Sequence, residues 1–266
     1  MEQSFQFVLL EQSFQYYMMK RFQGQTVVIT GGNSGIGFAT AKAFKEQGAQ
    51  VIITGRSAEK VEEAASKLGV NGVVADVADL SQLDSLVEQV QGAYGQVDVL
   101  FVNAGIFVLE PVGAISEQNF DDLMDINFKG AVFTTEKFLP VLKDGAAIIA
   151  LSSIAAYTGS PNLAIYSASK AALNSYVRTA AIELSKRNIR INAVNPGPTS
   201  TPIFQKLGFP EEQTALIKDH AKSQIPLGKL GEPTDIAELV TFLASSSASF
   251  ITGGEFNIDG GMLIKT

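Results

Sequence analysis

Thr26-Val-Val-Ile-Thr30-Gly31-Gly32-Asn33-Ser34-Gly35-Ile36-Gly37 is the stretch that decides the fold. Its first five residues are β-branched or apolar without alternation, the pattern of a strand buried on both faces. A glycine-rich turn follows at once, and then an amphipathic segment predicts a helix over Phe38 to Gln47. Strand, glycine turn and helix open a nucleotide-binding βαβ unit. The glycines let the backbone approach a pyrophosphate, whose charge faces the amide groups of the helix N-terminus. Gly31, Asn33, Ser34, Gly35, Ile36 and Gly37 are the candidate cradle. The spacing is G-x-x-x-G-x-G rather than the G-x-G-x-x-G of most dinucleotide folds, so strand and helix on either side carry the reading.

The same unit recurs outward. Gln50 to Thr54 is a second strand, ending at Gly55-Arg56-Ser57. An acidic residue at that strand end would bind the ribose hydroxyls of NAD and repel a 2′-phosphate. Here Gly55 stands in its place and Arg56 supplies a guanidinium suited to phosphate, which favours NADP(H) and leaves NAD(H) open. A helix over Ala58 to Leu68 leads to a strand over Gly72 to Ala75, closed by Asp76-Val77. Asp76 can accept from an adenine amino group or cap the helix beginning near Leu80, for which Asp79 is the better cap. The fourth strand, Val97 to Val102, ends in Asn103-Ala104-Gly105, small residues that let backbone lie against a cofactor while Asn103 bonds across the crevice. Strand and helix alternation means a doubly wound parallel sheet with helices on both faces and ligands at the carboxyl ends of the strands.

The chemistry centres on Tyr166-Ser-Ala-Ser-Lys170, within a helix predicted over Asn162 to Lys186. The spacing puts a phenol and an ammonium on one helical face. A tyrosine, with an unperturbed pKa of about 10, is a weak acid at neutral pH; a fixed cation beside it favours the phenolate. Alone, Y-x-x-x-K arises by chance in many helices. Composition sharpens it. With no cysteine and one histidine, His220, the chain has no disulfide, no thiolate catalysis and no His- or Cys-rich metal cluster, and acid–base work near neutral pH falls to another group. No metal is expected.

Between these pieces, a long helix is predicted over Glu117 to Leu142, carrying Asn127. An asparagine in mid-helix either satisfies a helix–helix contact or marks a locally opened turn whose carbonyl holds a water. A strand over Ala146 to Leu151 runs into Ser152-Ser153, hydroxyls that are also ordinary loop residues. A strand over Ile189 to Val194 ends in Asn195-Pro196-Gly197-Pro198-Thr199-Ser-Thr201-Pro202, a turn that would set backbone amides and Thr201 beside a nicotinamide carboxamide. Pro202 to Pro226 is expected to be less regular, a lid whose apolar residues suit a substrate with hydrophobic bulk. Glu232-Pro-Thr-Asp starts another helix, and Glu255 to Ile258 is the last strand.

A net charge of −7 and the lack of a dense basic run argue against nucleic-acid binding. No apolar run reaches a membrane span. Residues 1–20 contain Glu2-Gln-Ser-Phe-Gln and its repeat Glu11-Gln-Ser-Phe-Gln, without the basic start and longer apolar run of a secretory signal. They are read as a tag-like or disordered extension, or an arm on a neighbouring subunit. Residues 21–266 are read as one domain, and the cytoplasm is the expected compartment.

Taken together, Thr30-Gly31-x-x-x-Gly35-x-Gly37, Asn103-Ala-Gly105, Asn127, Ser153, Tyr166-x-x-x-Lys170 and Pro196-Gly197 resemble the short-chain dehydrogenase/reductase family over essentially all of residues 21–266. The resemblance, closest to 3-oxoacyl reductases, implies a Rossmann-type sheet of about seven strands and reversible hydride transfer between a nicotinamide and a ketone or secondary alcohol. It implies Tyr166 as general acid/base, Ser153 as holder of the substrate oxygen, Lys170 as the lysine that lowers the tyrosine pKa and binds the nicotinamide ribose, and Asn127 as anchor of a relay water. Asp76 and Val77 match the adenine-contacting pair and Arg56 an NADP-type position. Thr199 departs from the apolar residue many members place beside the nicotinamide. A homotetramer, built through the long helices and the C-terminal segment, is also implied. The rival readings are an NAD-linked alcohol or sugar dehydrogenase, and a cofactor-binding sensor without turnover. A hydrolase using Ser153 is disfavoured because no G-x-S-x-G elbow surrounds it.

Overall fold

In the computed structural model, residues 20–202 and 210–265 are described; the expected extension falls almost wholly outside them. The sheet is seven-stranded and parallel throughout, in the order β3-β2-β1-β4-β5-β6-β7. The strands are β1 (Thr26–Thr30), β2 (Gln50–Gly55), β3 (Asn71–Val74), β4 (Val97–Val102), β5 (Leu142–Leu151), β6 (Arg190–Pro196) and β7 (Glu255–Ile258). Chain order reverses between β1 and β4, so the crevice of the doubly wound sheet opens at Gly31 and Asn103.

The apolar runs bury both faces by alternation. Val28, Leu100 and Ile148 face one layer with Leu83, Leu86, Phe138 and Val177. Ile29, Phe101 and Ile149 face the other with Phe44, Ile53, Ile236 and Val240. The first layer is built by helices α3 (Leu80–Tyr94), α5 (Gly130–Phe138) and α6 (Ala164–Leu184), and the second by α1 (Gly35–Glu46), α2 (Ala58–Leu68) and α8 (Pro233–Ala244). Asp79 caps α3 as expected, its Oδ1 accepting from the amides of Ser81 at 2.9 Å and Gln82 at 3.3 Å. Those bonds and the side chains of Ser81 and Gln82 hold its carboxyl down at about 2.

Several boundaries differ from expectation, most by one to three residues. The single helix over Glu117 to Leu142 is instead α4 (Glu117–Met124), a π-helical turn over Asp125–Lys129, and α5; Leu142 already belongs to β5. The β5 start moves earlier because the Val97 amide donates to the Val141 carbonyl at 2.8 Å and Val97 pairs with Leu142. The catalytic-motif helix starts at Ala164 rather than Asn162, since Asn162 adopts φ 66°, the left-handed region that a helix excludes. Within the stretch expected to be irregular, Glu211–Gln224 forms helix α7, while 203–209 lie outside the described residues. No helix among the described residues is long and apolar enough to cross a membrane.

Candidate active site

At the crevice, the side chain of Asn103 closes the gap between β1 and β4. Its Nδ2 donates to the carbonyls of Thr30 at 2.8 Å and Gly31 at 3.1 Å, and its amide donates to the Thr30 hydroxyl at 2.9 Å. The glycine turn is packed against this bond: a Cβ on Gly37 would lie 2.4 Å from the Gly31 carbonyl oxygen and 2.6 Å from Asn103 Nδ2. Ser34 precedes α1 in an extended conformation and makes no side-chain cap, so the first amides of α1 are left to an outside acceptor. A cleft of about 510 Å³ runs over this turn. It is lined by Gly31, Asn33, Ser34, Gly35 and Ile36 of the turn, by Arg56, Ser57 and Lys60 after β2, and by Asp76, Val77, Ala104 and Gly105 after β3 and β4. These groups fit a dinucleotide: free helix-terminal amides for the pyrophosphate, and a cationic wall at the end of β2. Gly55 is crowded as well, since a Cβ there would meet Asn33 Oδ1 at 2.7 Å. Asp76 Oδ1 accepts from the Ala78 amide at 3.0 Å, bracing the adenine-side turn.

A second cavity of about 320 Å³ adjoins the first. The two share Ile36, Asn103, Gly105, Ile106, Phe107, Leu151 and Thr201. Ser153, Tyr166 and Lys170 line the second cavity together with Pro196, Gly197 and Thr199. Ser153 lies just past β5 and caps the short 3-10 turn Ile154–Ala156, its Oγ accepting from the Ala155 amide at 3.1 Å. Tyr166 and Lys170 sit one turn apart on α6 and meet the same cavity. The Lys170 Nζ lies 5.9 Å from the Tyr166 ring centroid and donates to the Leu151 carbonyl at 2.8 Å.

Burial dominates the electrostatics. It raises the Tyr166 phenol above its ordinary value of 10.0, against an opposing hydrogen bond with Ser153. It lowers the Lys170 ammonium to about 8. Burial is the leading influence on the Tyr166 phenol. At neutral pH the phenol keeps its proton.

Asn127 lines neither cavity. It is buried at the π-helical turn, where its Oδ1 accepts from the Ile106 amide at 2.8 Å and its Nδ2 donates to the Ile106 carbonyl at 3.0 Å and to Ser169 Oγ at 3.3 Å. The helix opens locally here, and the side chain is satisfied by Ile106 and by Ser169 of α6. Gly37 likewise stays beneath the turn. Thr199 Oγ1 donates to the Gly197 carbonyl at 2.9 Å, holding the proline-rich turn rather than projecting freely.

Several residues at the site were not singled out from the sequence. Lys60, on the first turn of α2, joins Arg56 on the cleft wall; its spacing from Arg56 was the available signal. Phe107 packs edge-to-face on Tyr166, ring centroids 4.9 Å apart at 81°. Behind the Ser153 turn, the Tyr157 hydroxyl donates to Glu255 and accepts from Asn174 at 3.0 Å and Asn195 at 3.3 Å, tying that turn to α6, β6 and β7. Burial and the Glu255 carboxylate push the Tyr157 phenol up to about 12.

The family described as "Enoyl-(Acyl carrier protein) reductase" matches residues 31–263. The chain belongs to the short-chain dehydrogenase/reductase family. It is 38% identical over 251 residues to the 3-oxoacyl-(acyl-carrier-protein) reductase FabG of Thermotoga maritima, covering 92% of this chain and 100% of the relative. It is 36% identical over 253 residues to the NADP-dependent (R)-specific alcohol dehydrogenase of Lentilactobacillus kefiri, covering 92% and 98%. Among solved structures, a short-chain dehydrogenase/reductase from Brucella melitensis, titled a glucose/ribitol dehydrogenase, superposes with a TM-score of 0.86 at 32% identity, covering 92% and 99%. The short-chain dehydrogenase/reductase described here is thus an oxidoreductase acting between alcohols and carbonyl groups with a nicotinamide cofactor.

Proposed function

We propose that this short-chain dehydrogenase/reductase reduces ketones, reversibly and with a preference for NADP(H), using Tyr166 as its general acid/base. The observation that carries the reading is that Ser153, Tyr166 and Lys170 line one cavity, which shares Ile36, Asn103, Gly105 and Ile106 with the cleft over the glycine turn. Gly31, Asn33, Ser34, Gly35 and Ile36, above the buried Gly37, would hold the pyrophosphate; Asp76 and Val77 the adenine; Asn103, Ala104, Gly105, Tyr166, Lys170, Pro196, Gly197, Thr199 and Thr201 the nicotinamide half. Bound there, the nicotinamide supplies the hydride that adds to the carbonyl carbon. Ser153 donates a hydrogen bond to the carbonyl oxygen, where negative charge develops, and Tyr166 delivers its proton to that oxygen. In the alcohol-to-ketone direction the same phenol oxygen takes the proton back. Lys170 holds the catalytic helix to β5, and Asn127 fixes Ile106, which borders both cavities.

The cofactor preference rests on Gly55 where a carboxylate would repel phosphate, and on Arg56 with Lys60 beside it. The test is the oxidation rate of NADPH and of NADH with a panel of ketones, aldehydes and 3-oxoacyl esters, repeated with Arg56→Leu. NADPH turnover well above NADH, with the advantage lost in the variant, is the expected result. NADH turnover alone would favour an NAD-linked alcohol or sugar dehydrogenase, and tight cofactor binding without turnover would favour a sensor. A cytoplasmic homotetramer is part of the same proposal; a monomer in solution scattering would remove the oligomeric part.

A further inference from the structure

We propose that Tyr157 and Glu255 are positioning residues, a polar hub that sets Ser153 for its hydrogen bond to the substrate oxygen. The inference rests on the reductase reading above and extends it to two residues that line neither cavity. Ser153 and Tyr157 are the two ends of one 3-10 turn, the first its N-cap and the second its C-cap. Within the turn, the Tyr157 amide donates to the Ile154 carbonyl at 2.9 Å and the Ala156 amide to the Ser153 carbonyl at 3.1 Å. The Ala155 amide donates to Ser153 Oγ at 3.1 Å, which occupies a lone pair and leaves the hydroxyl proton for an acceptor outside the turn. Where the turn goes, that hydroxyl goes. Its front is held by Ser152, whose amide donates to the Val194 carbonyl at 2.8 Å. Its back ends at Tyr157, which is 48% exposed, so the hydroxyl rather than the packing of the ring is the anchor.

The bonds at that hydroxyl join three segments that meet the cavity of Ser153 and Tyr166. It donates to Glu255 Oε2 and accepts from Asn174 Nδ2 at 3.0 Å and Asn195 Nδ2 at 3.3 Å. The same two amides also donate to Glu255 Oε2 and to Asn257 Oδ1, each at 3.1 Å, and Arg178 donates to Glu255 Oε1. Asn174 and Asn195 are buried. Asn174 lies one helical turn past Lys170 on α6, and Asn195 directly precedes Pro196 and Gly197, which line the cavity. One carboxylate thus ties the Ser153 turn to α6 and, through the Tyr157 hydroxyl, to the turn after β6. Arg178 is largely exposed, so its ion pair with Glu255 adds little stability. The effect of the hub falls on geometry.

Ser153 bonds an oxygen whose negative charge grows during reduction, so its displacement costs the transition state more than the bound ketone. The test follows NADPH oxidation with a 3-oxoacyl ester for wild type, Tyr157→Phe, Glu255→Gln, Glu255→Leu and the double variant of Y157F with E255L. Each rate is divided by the cofactor sites counted in an NADPH titration. Y157F and E255L should each lower kcat by about tenfold to a hundredfold, the scale of a small misplacement. KM should change by less than about threefold and NADPH affinity by less than about twofold. E255Q keeps an oxygen that can accept from Tyr157 and should retain more activity than E255L. The double variant should be no slower than the slower single variant, because the two residues act as one unit. A kcat in Y157F within about twofold of wild type, or losses that multiply in the double variant, would overturn the hub. If E255L does not fold, Y157F and E255Q carry the test. Hydrogen exchange read by mass spectrometry separates the hub from the reductase reading. In Y157F the amides of residues 154–157 should exchange about two- to tenfold faster, the scale of one lost hydrogen bond. Faster exchange beside a wild type that reduces no ketone would sink the reductase reading and keep the anchor. Unchanged exchange would overturn the anchor whatever the turnover.

Discussion

The Lys170 ammonium donates to the Leu151 carbonyl, and the Ser152 hydroxyl answers by donating to the Lys170 carbonyl at 3.1 Å. The pair forms a rung between helix α6 and the end of β5, the strand that leads into Ser153. Tyr166 and Ser153 belong to different elements, and this rung fixes the distance between them. The same burial that makes the rung rigid keeps the Tyr166 phenol protonated and weakens the hold of Lys170 on its own proton.

Tyr166→Phe removes the proton donor and keeps the ring that packs on Phe107. Turnover should fall by about 10²–10⁴-fold, the usual contribution of a positioned acid/base, while NADPH affinity changes little. Steady-state NADPH oxidation and a direct cofactor titration check both halves. Retained turnover would remove Tyr166 from the mechanism.

Lys170 makes stability depend on pH in a defined direction. Its folded-state value of about 8 lies below the ordinary 10.5. Below about 8 both states hold the proton and the fold carries a buried charge. Between about 8 and 10.5 the unfolded chain holds a proton that the folded chain does not, so stability rises with pH across that window. Thermal melts of wild type minus Lys170→Met, taken from pH 7 upward, should show wild type gaining on the variant through this range. A flat difference would mean Lys170 is not desolvated.

The sheet was legible because each buried parallel strand is a short β-branched run followed by a turn signal, as in Thr26–Thr30 and Val97–Val102. The catalytic and glycine motifs were legible by their order. What the residues did not reveal locally was set by contacts between distant segments. The π-helical break at Asn127 depends on hydrogen bonds to Ile106, which no periodicity within Glu117 to Leu142 contains. Phe107 lies in an irregular stretch and shows its importance only once the fold brings it against Tyr166. Helix α7 has a weakly apolar sequence, in which Thr214 is the buried position, so an amphipathic stripe gave little signal.

Asn127→Leu keeps the volume of the side chain and removes its bonds. The Ile106 amide and carbonyl then lose their buried partner, a cost of about 1–3 kcal/mol in urea denaturation. Because Ile106 borders both cavities, the variant should also lose turnover while its circular dichroism remains that of the native fold. Unchanged stability would mean that Ile106 finds other partners.

Two glycines separate a cradle from a mere helix position. A Cβ on Gly37 meets the Gly31 carbonyl oxygen at 2.4 Å, and that oxygen also accepts from Asn103, so relief requires moving the turn over which the cofactor cleft runs. Gly92 lies inside α3 with nothing within 4 Å of its added Cβ. Gly37→Ala should therefore destabilise by about 1–3 kcal/mol, as overpacking does, and weaken NADPH binding. Gly92→Ala should stabilise by about 0.5–1 kcal/mol by reducing the freedom of the unfolded chain, with binding unaffected. Opposite signs in the two urea midpoints are the expected result. If both variants were stabilised, the close packing of the glycine turn against Asn103 would be wrong, and with it the account of how β1 and β4 hold the cleft open.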